Sequence, residues 1–261
     1  MTLIDELFAD LSAESLDLRA VVAELDEDGW RTPTPAVGWE VATQIAHLAW
    51  TDAAVVAAAT DRAGWDRLVE LALADPAHFV DRAATELAGL PPDGLLGLWD
   101  EGRAELEAAL RGLAPGERLA WFGPAMSPAS MVTARIMETW AHGLDVRDAL
   151  GVPVVPTDRI RHVCHLAVRT RDFAFGARRL AVPAGEFRVE LTGPSGALWT
   201  WGPEDAEQRV SGSAYEFARL AAQRIHRADT SLRAGGPEAA RWLDIVQAFA
   251  GPAGAGRAPR G

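Results

Sequence analysis

Apolar residues recur at helical spacing through most of the first 150 positions, and this periodicity limits the possible folds more than any other feature of the sequence. Residues 3–26 carry one such pattern, residues 41–49 a second and residues 93–113 a third. This spacing places the apolar side chains on one face of an α-helix. The N-terminal half is therefore predicted to be helical, with a buried face on each helix.

A fourth predicted helix is the best delimited of the set. Ser127 can cap its first turn, Pro128 suits the first helical position, and Gly151 lies just past its end. Four long helices joined by moderate loops favour a four-helix bundle. A shorter segment near residues 62–90 is expected to pack beside it.

The pattern changes after residues 151–157, whose glycine and prolines are typical of a linker. Residues 158–175 could be helical. Apolar and polar residues then alternate on both sides of residues 193–196, Gly-Pro-Ser-Gly, which predicts a β-hairpin. One further short strand and two helices are expected at residues 208–212, 213–225 and 237–249.

These patterns together predict a mainly α protein with two domains and a tail. The helix bundle would occupy residues 1–151, and a small α+β domain would occupy residues 152–250. Residues 251–261 consist of Gly, Ala, Pro and Arg and are predicted to be disordered.

The charge and cysteine content of the chain restrict its partners and its compartment. The formal net charge is −12 and arginine supplies every strong cation, because the chain has no lysine. An acidic surface repels phosphate backbones and acidic lipids, which weighs against nucleic acid and membrane partners. Cys164 is the only cysteine, so no internal disulfide can form. We expect a cytoplasmic protein, because the sequence has no signal-peptide pattern and no long apolar run. Since nucleic acid and membrane partners are disfavoured, we expect it to act on a small molecule. The oligomeric state stays open.

Ten tryptophans are present, and six of them fall in the predicted bundle outside the segment near residues 62–90. Large apolar rings contribute strongly to burial, so most of these six are expected in the core. They are Trp30, Trp39, Trp50, Trp99, Trp121 and Trp140.

The stretch METWAHGLDV, residues 137–146, places Glu138 and His142 four positions apart in an otherwise apolar helix. Residues at this spacing lie about 5–6 Å apart on one helix face, so an oxygen and a nitrogen can meet at one point. A carboxylate and an imidazole among apolar residues are costly unless something pairs with them. The pair is therefore a candidate for two ligands of a metal ion.

His47 is the candidate for the third ligand. It lies in the apolar stretch TQIAHLAW on a different predicted helix. Three ligands of this kind would leave coordination positions open for water or substrate. Two simpler interpretations remain: Glu138 and His142 could form a solvent-exposed ion pair, and His47 could be an ordinary core histidine.

Two stretches, VGWEVATQIAHLAW and METWAHGLDVRDALG, together resemble the DinB-like metal-binding superfamily. Within it the chain resembles the branch of proteins like mycothiol-dependent maleylpyruvate isomerase. That branch carries Gly-Trp, then a helix that ends in His-Leu, then Glu-x-x-x-His-x-x-Asp on the last bundle helix, closing in Ala-Leu-Gly. The pattern falls on Gly38, Trp39, His47, Leu48, Glu138, His142, Asp145, Ala149, Leu150 and Gly151. The resemblance covers the whole chain, and the second half resembles the C-terminal domain of the branch, which is related to the sterol-carrier-protein fold.

The resemblance implies a divalent metal ion, usually zinc, held by His47, Glu138 and His142. In relatives the metal recruits mycothiol, a low-molecular-weight thiol, and a metal stabilises a thiolate over the thiol. Relatives often carry a Gly-Arg dipeptide in the C-terminal domain, where this chain has Gln223-Arg224. Arg224 is thus a candidate catalytic and cofactor-binding residue that would hold a carboxylate of the thiol or of the substrate. A simple surface arginine is the alternative.

Three functions are consistent with such a site, and the fold does not choose among them. The first is a metal-dependent isomerase or thiol transferase that uses mycothiol on a small electrophilic substrate. The second is a thiol-independent metalloenzyme, a hydrolase, isomerase or cyclase, that acts on a biosynthetic intermediate. The third is a non-catalytic protein that binds a ligand through its metal. We favour the first.

Overall fold

The computed structural model describes residues 2–114, 116–249, 251, 253–254 and 256–260. The chain divides into two units, Met1–Val154 and Val155–Gly261.

The N-terminal unit is helical, as the periodicity predicts. Four of its helices are 20 to 23 residues long, and they form the predicted bundle. The helices are α1 (Leu3–Val22), α2 (Glu27–Trp30), α3 (Val41–Thr60), α4 (Arg62–Ala74), α5 (Phe79–Leu87), α6 (Pro92–Arg111) and α7 (Pro128–Leu150).

The ends of these helices follow from local chemistry. The Ser127 hydroxyl accepts a hydrogen bond from the Ser130 amide at 3.2 Å, and Gly151 ends α7 with a left-handed φ of 65°. Helix α1 ends four residues before its predicted limit, because Asp26 instead caps the short helix α2. The segment near residues 62–90 is two helices, since Asp75 precedes a proline and leaves the helical conformation.

Helix α3 lies at the centre of the N-terminal unit, where it contacts α4, α5, α6 and α7. Every residue from Val41 to Ala49 is buried. Three of its polar side chains, Gln44, His47 and Asp52, are therefore enclosed and need partners inside the bundle.

The C-terminal unit is the predicted small α+β fold. Its sheet has the order β2-β1-β3-β4, in which the β1–β2 hairpin is antiparallel and the β1–β3 pair is parallel. Strand β4 has three residues, too few to show alternation, and was not predicted. The elements are α8 (Ile160–Arg169), α9 (Arg171–Ala177), β1 (Arg188–Thr192), β2 (Leu198–Trp201), β3 (Arg209–Ser213), α10 (Ala214–Ala221), β4 (Arg233–Gly235) and α11 (Pro237–Ile245).

The predicted disordered tail falls partly on residues 252, 255 and 261, which lie outside the described residues. Within the described part, Arg178 Nη2 donates to the Gly254 carbonyl at 3.2 Å. Across the described ranges, every helix falls short of the length and apolar content needed to traverse a bilayer.

Candidate metal centre

Helices α3 and α7 bring His47, Glu138 and His142 together at one point of the N-terminal unit. Glu138 Oε2 lies 3.1 Å from His142 Nε2 and 3.4 Å from His47 Nε2. All three potential ligand atoms lie within 4.8 Å of one another, and no other group of His, Cys, Asp and Glu converges in this way among the described residues. The i, i+4 spacing positions the two α7 residues, and the packing of α3 against α7 adds His47.

The three side chains, which we call the triad, are enclosed but not sealed. His47 and His142 are 10% and 12% exposed, and Glu138 is 23% exposed. The Trp39 ring stacks on His142 with ring centroids 5.8 Å apart, and Trp50 lies 6.4 Å from the His47 ring. The carboxylate is therefore the member of the triad nearest to solvent.

A chain of hydrogen bonds behind the triad fixes the tautomer of His142. The Thr34 hydroxyl donates to the Trp39 carbonyl at 3.0 Å, so it can accept from the Gln44 amide nitrogen at 2.8 Å. The remaining Gln44 oxygen faces His142 Nδ1. Because an amide oxygen only accepts, Nδ1 carries the proton and Nε2 presents a lone pair towards Glu138.

This arrangement is unfavourable unless a cation enters it. The lone pair of His142 Nε2 faces the Glu138 carboxylate oxygen 3.1 Å away, and two acceptors at that distance repel. A second proton on His142 or a metal ion between the ligand atoms would turn the repulsion into attraction. Two imidazole nitrogens and one carboxylate oxygen are a donor set that zinc and other first-row divalent metals accept, so the residues fit a metal ion.

Electrostatics keep Glu138 in the form that a metal requires. Burial raises the pKa of its carboxyl, but a proton on His142 Nε2 or His47 Nε2 would donate to the carboxylate and, with the charge of Arg135, opposes this effect. Together they hold the pKa of Glu138 well below its usual range. The carboxylate is thus ionised at neutral pH.

A second polar group, which we call the Asp52 cluster, lies on the same helices. Asp52 of α3 is fully buried, and its carboxylate oxygens lie 3.0 Å from Arg103 Nη2 and 3.4 Å from Arg135 Nε. Thr139 of α7 accepts a hydrogen bond from Arg103 Nη2 at 3.2 Å. Sequence reasoning missed this cluster, although charged residues in apolar helices are the signal that could have found it.

Gln44 was also missed. It lies three residues before His47, on the same side of α3, and it is fully buried. His47 has no equivalent support, because its Nδ1 is buried without a hydrogen-bond partner among the described residues.

Arg224 lies in the C-terminal unit, just after α10. Its Nη1 donates to the Ala222 carbonyl at 2.6 Å. The preceding residue, Gln223, has a φ of 60°, a left-handed conformation that glycine adopts without a steric penalty. This gives a physical reason for the Gly-Arg dipeptide of relatives, while the role of Arg224 stays a prediction.

Comparison with known proteins adds two family matches. The model of the mycothiol maleylpyruvate isomerase N-terminal domain matches residues 11–147. A second model, described as wyosine base formation, matches residues 183–234, about a fifth of the chain.

Similar proteins and structures cover nearly the whole chain. Two uncharacterized proteins of Mycobacterium tuberculosis, from strains CDC 1551 and H37Rv, are each 56% identical over 249 residues, which is 95% of this chain and 97% of theirs. Crystal structures of mycothiol-dependent maleylpyruvate isomerase and of one of its histidine-to-alanine mutants align with a TM-score of 0.57 at 19% identity. They cover 91% of this chain and 96% of their own, and at that identity they show a shared fold.

Proposed function

The chain belongs to the family of mycothiol maleylpyruvate isomerase N-terminal domains, and on that premise we propose that it is a metal-dependent enzyme. It would use a bound thiol, with mycothiol as the first expectation, for isomerisation or thiol transfer on a small electrophilic substrate. A cytoplasmic location fits this proposal, because a thiol cofactor stays reduced there.

One observation carries the proposal: the triad presents three potential ligand atoms that all lie within 4.8 Å of one another. The ion would be held by His47 Nε2, Glu138 Oε2 and His142 Nε2, with zinc as the first expectation. When bound, such an ion would stabilise a thiolate over the thiol and so supply a nucleophile at neutral pH.

The residues of the chain would prepare and shield this point. Gln44 would keep the proton on His142 Nδ1, so that Nε2 would present its lone pair as a ligand atom. Trp39 and Trp50 cover the two histidine rings and keep water from that side. Glu138 borders the more open side, which leaves access for a thiol and a substrate.

Arg224 would contribute the binding of a carboxylate, either of the thiol or of the substrate. A guanidinium offers two parallel N–H groups that match a carboxylate. Replacing Arg224 with Lys would keep the positive charge but remove the two parallel N–H groups. We therefore expect weaker thiol binding with unchanged metal content.

Elemental analysis of the purified, zinc-loaded protein tests the proposal first. We expect about one ion per chain, lost in Glu138→Ala and in His142→Ala. His78→Ala is the matched control, since His78 is an exposed histidine whose Nδ1 lies 2.9 Å from Asp75. Retention of the metal in both triad variants, or no metal after loading, would contradict the proposal.

Replacing zinc with cobalt(II) separates the thiol-dependent function from its alternatives. Mycothiol added to the cobalt protein should change the visible spectrum of the ion, because a thiolate sulfur is a strong new ligand. Metal binding without any spectral change would favour a thiol-independent metalloenzyme of the same fold.

A further inference from the structure

Six aromatic rings lie close together in the N-terminal unit, five of them in mutual contact and Trp39 joined to them through the His47 ring, and we call this group the aromatic wall. Phe122 contacts four of the others, with ring centroids 4.9 to 6.4 Å apart. Trp50 and Phe79 meet edge to face at 5.1 Å. The members of the wall are Trp39, Trp50, Trp65, Phe79, Trp121 and Phe122.

The wall begins at the triad. Trp39 stacks on His142 and lies 5.3 Å from the His47 ring, and Trp50 approaches His47 from the next turn of α3. The remaining rings extend the surface from Trp50 outwards. A molecule whose reactive atom lies at the triad would therefore meet these rings with the rest of its structure.

Most of the wall lies outside the packed core, and Trp65, at 5% exposed, is the member that is buried in it. Sequence reasoning expected most bundle tryptophans to be buried, and Trp30, Trp99 and Trp140 are at most 5% exposed. Trp39 and Trp50, by contrast, are only partly buried. Phe122 is 43% exposed and lies in the loop between α6 and α7, which a bridge between residues 119 and 126 holds in place. Exposed rings clustered beside a polar site indicate a ligand surface.

The charges around the wall favour a neutral ligand. Arginines lie over five aromatic rings in the described residues, and none of those rings belongs to the wall. The chain has no lysine. The buried cations Arg103 and Arg135 are paired with Asp52, and the Trp39 indole donates to the Asp81 carboxylate at 3.1 Å. Arg31 and Arg82, which are close in sequence to Trp39 and Phe79, are paired as well, with Glu40 at 3.5 Å and with Asp75, and Arg118 donates to the Ala125 carbonyl.

We propose that the aromatic wall binds the non-reacting part of the substrate, and that this part is neutral, planar and aromatic. This inference rests on the proposed function for the reaction at the triad, but the binding itself depends only on the wall. Flat rings stack on or meet the edges of Trp and Phe side chains, and their burial removes apolar surface from water. The substrate class is thus an electrophile whose non-reacting part is a neutral aromatic ring.

Calorimetric titration of the full-length protein with 2-naphthylmethanol, a neutral fused-ring probe, tests the inference. We expect saturable binding that Phe122→Ala weakens about fivefold and Phe122→Tyr retains. Phe173→Ala is the matched control, because Phe173 is 41% exposed and lies in the C-terminal unit. Both alanine variants replace an exposed ring, and their melting temperatures check that each still folds.

The titration is repeated with maleate as an anionic probe and with both chelator-treated and zinc-loaded protein. Equal affinities for the naphthyl probe in Phe122→Ala and Phe173→Ala, or binding of maleate without binding of the naphthyl probe, would overturn the inference. If the triad holds no zinc and Phe122→Ala still weakens the naphthyl probe, the wall is a ligand site and the proposed function fails.

Discussion

The triad and the Asp52 cluster both use helices α3 and α7, with Arg103 of α6 added in the cluster, yet their buried polar groups are paired differently. In the Asp52 cluster a carboxylate lies between two guanidinium groups, so each charge has an opposite charge within 3.4 Å. In the triad a carboxylate lies between two imidazoles, and the tautomer of His142 leaves a lone pair facing that carboxylate. In the first group every charge faces an opposite charge, with one guanidinium in excess, whereas the second group presents electron pairs that a cation can bind.

This difference separates a structural role from a chemical one. Asp52 is fully buried, and its cluster joins α3, α6 and α7. The triad is partly open to solvent, and the charge of Arg135 favours the ionised form of Glu138. A site that lacks a cation and remains accessible is suited to bind one from solution.

The largest effect is expected from removing the carboxylate of the Asp52 cluster. Asp52→Ala would leave Arg103 and Arg135 buried without their counter-ion, and we expect the free energy of unfolding to fall by about 3–5 kcal/mol in urea titrations. Asp100→Ala is the control, because Asp100 pairs with Arg19 at 2.9 Å on the surface and both side chains are more than 40% exposed. If the two variants lose similar stability, the Asp52 cluster is not the structural group described.

The next largest effect is expected from zinc binding to the triad. Zinc at about a hundred times its dissociation constant should raise the free energy of unfolding by about 2.7 kcal/mol, because it binds only the folded protein. Glu138→Gln should abolish this gain, and a chelator should remove it from the parent protein. His78→Ala should keep the full gain; stabilisation of Glu138→Gln by zinc would show that the ion binds elsewhere.

A smaller effect is expected from replacing Gln44, whose amide oxygen faces His142 Nδ1 of the triad. Gln44→Leu removes the acceptor for His142 Nδ1, so the ring loses its fixed tautomer, and the zinc dissociation constant should rise by about 10–100-fold. Gln247→Leu is a matched control, since Gln247 is also buried and its amide donates to the Phe249 and Gly251 carbonyls at 2.8 Å. That variant should lose stability and keep its zinc affinity, and equal zinc affinities in the two variants would refute the role of Gln44.

The smallest effect concerns Thr139, which lies beside Glu138 in sequence but belongs to the Asp52 cluster. Thr139→Val removes an acceptor for Arg103 Nη2 and should cost about 1 kcal/mol of unfolding free energy, with no change in zinc affinity. Thr133→Val is the control on the same helix, since its hydroxyl bonds only to the Ala129 carbonyl at 2.8 Å. A change in zinc affinity for Thr139→Val would mean that the two groups are coupled.

Much of the fold was predictable because local signals mark it. Periodicity located the long helices, and Ser127, Pro128 and Gly151 fixed both ends of α7. The separation of α4 from α5 and the pairing of β4 were not predicted. Strand β4 is defined by its hydrogen bonds to β3, with Val210 opposite Ala234, rather than by a pattern of its own.

The candidate site was predictable in part. Glu138 and His142 are neighbours on any helix, and the resemblance added His47. Asp52 in an apolar helix signals a buried carboxylate, but its partner was not predictable, because nothing local distinguishes Arg103 from Arg111 on the same amphipathic helix. The side chain of Arg103 is 13% exposed and pairs with Asp52, while that of Arg111 is 38% exposed and pairs with Asp5 and Glu107.

The sequence by itself determined the helices, their caps, the hairpin and the two triad residues on α7, because these depend on interactions within a few positions along the chain. Only the tertiary structure decided which buried polar groups complete one another. It placed His47 and Gln44 against α7, matched Asp52 with two arginines, and gathered six aromatic rings beside the triad. These groups come together only when α3 packs against its neighbouring helices. The free energy of that packing comes from contacts across the whole core and not from any single segment.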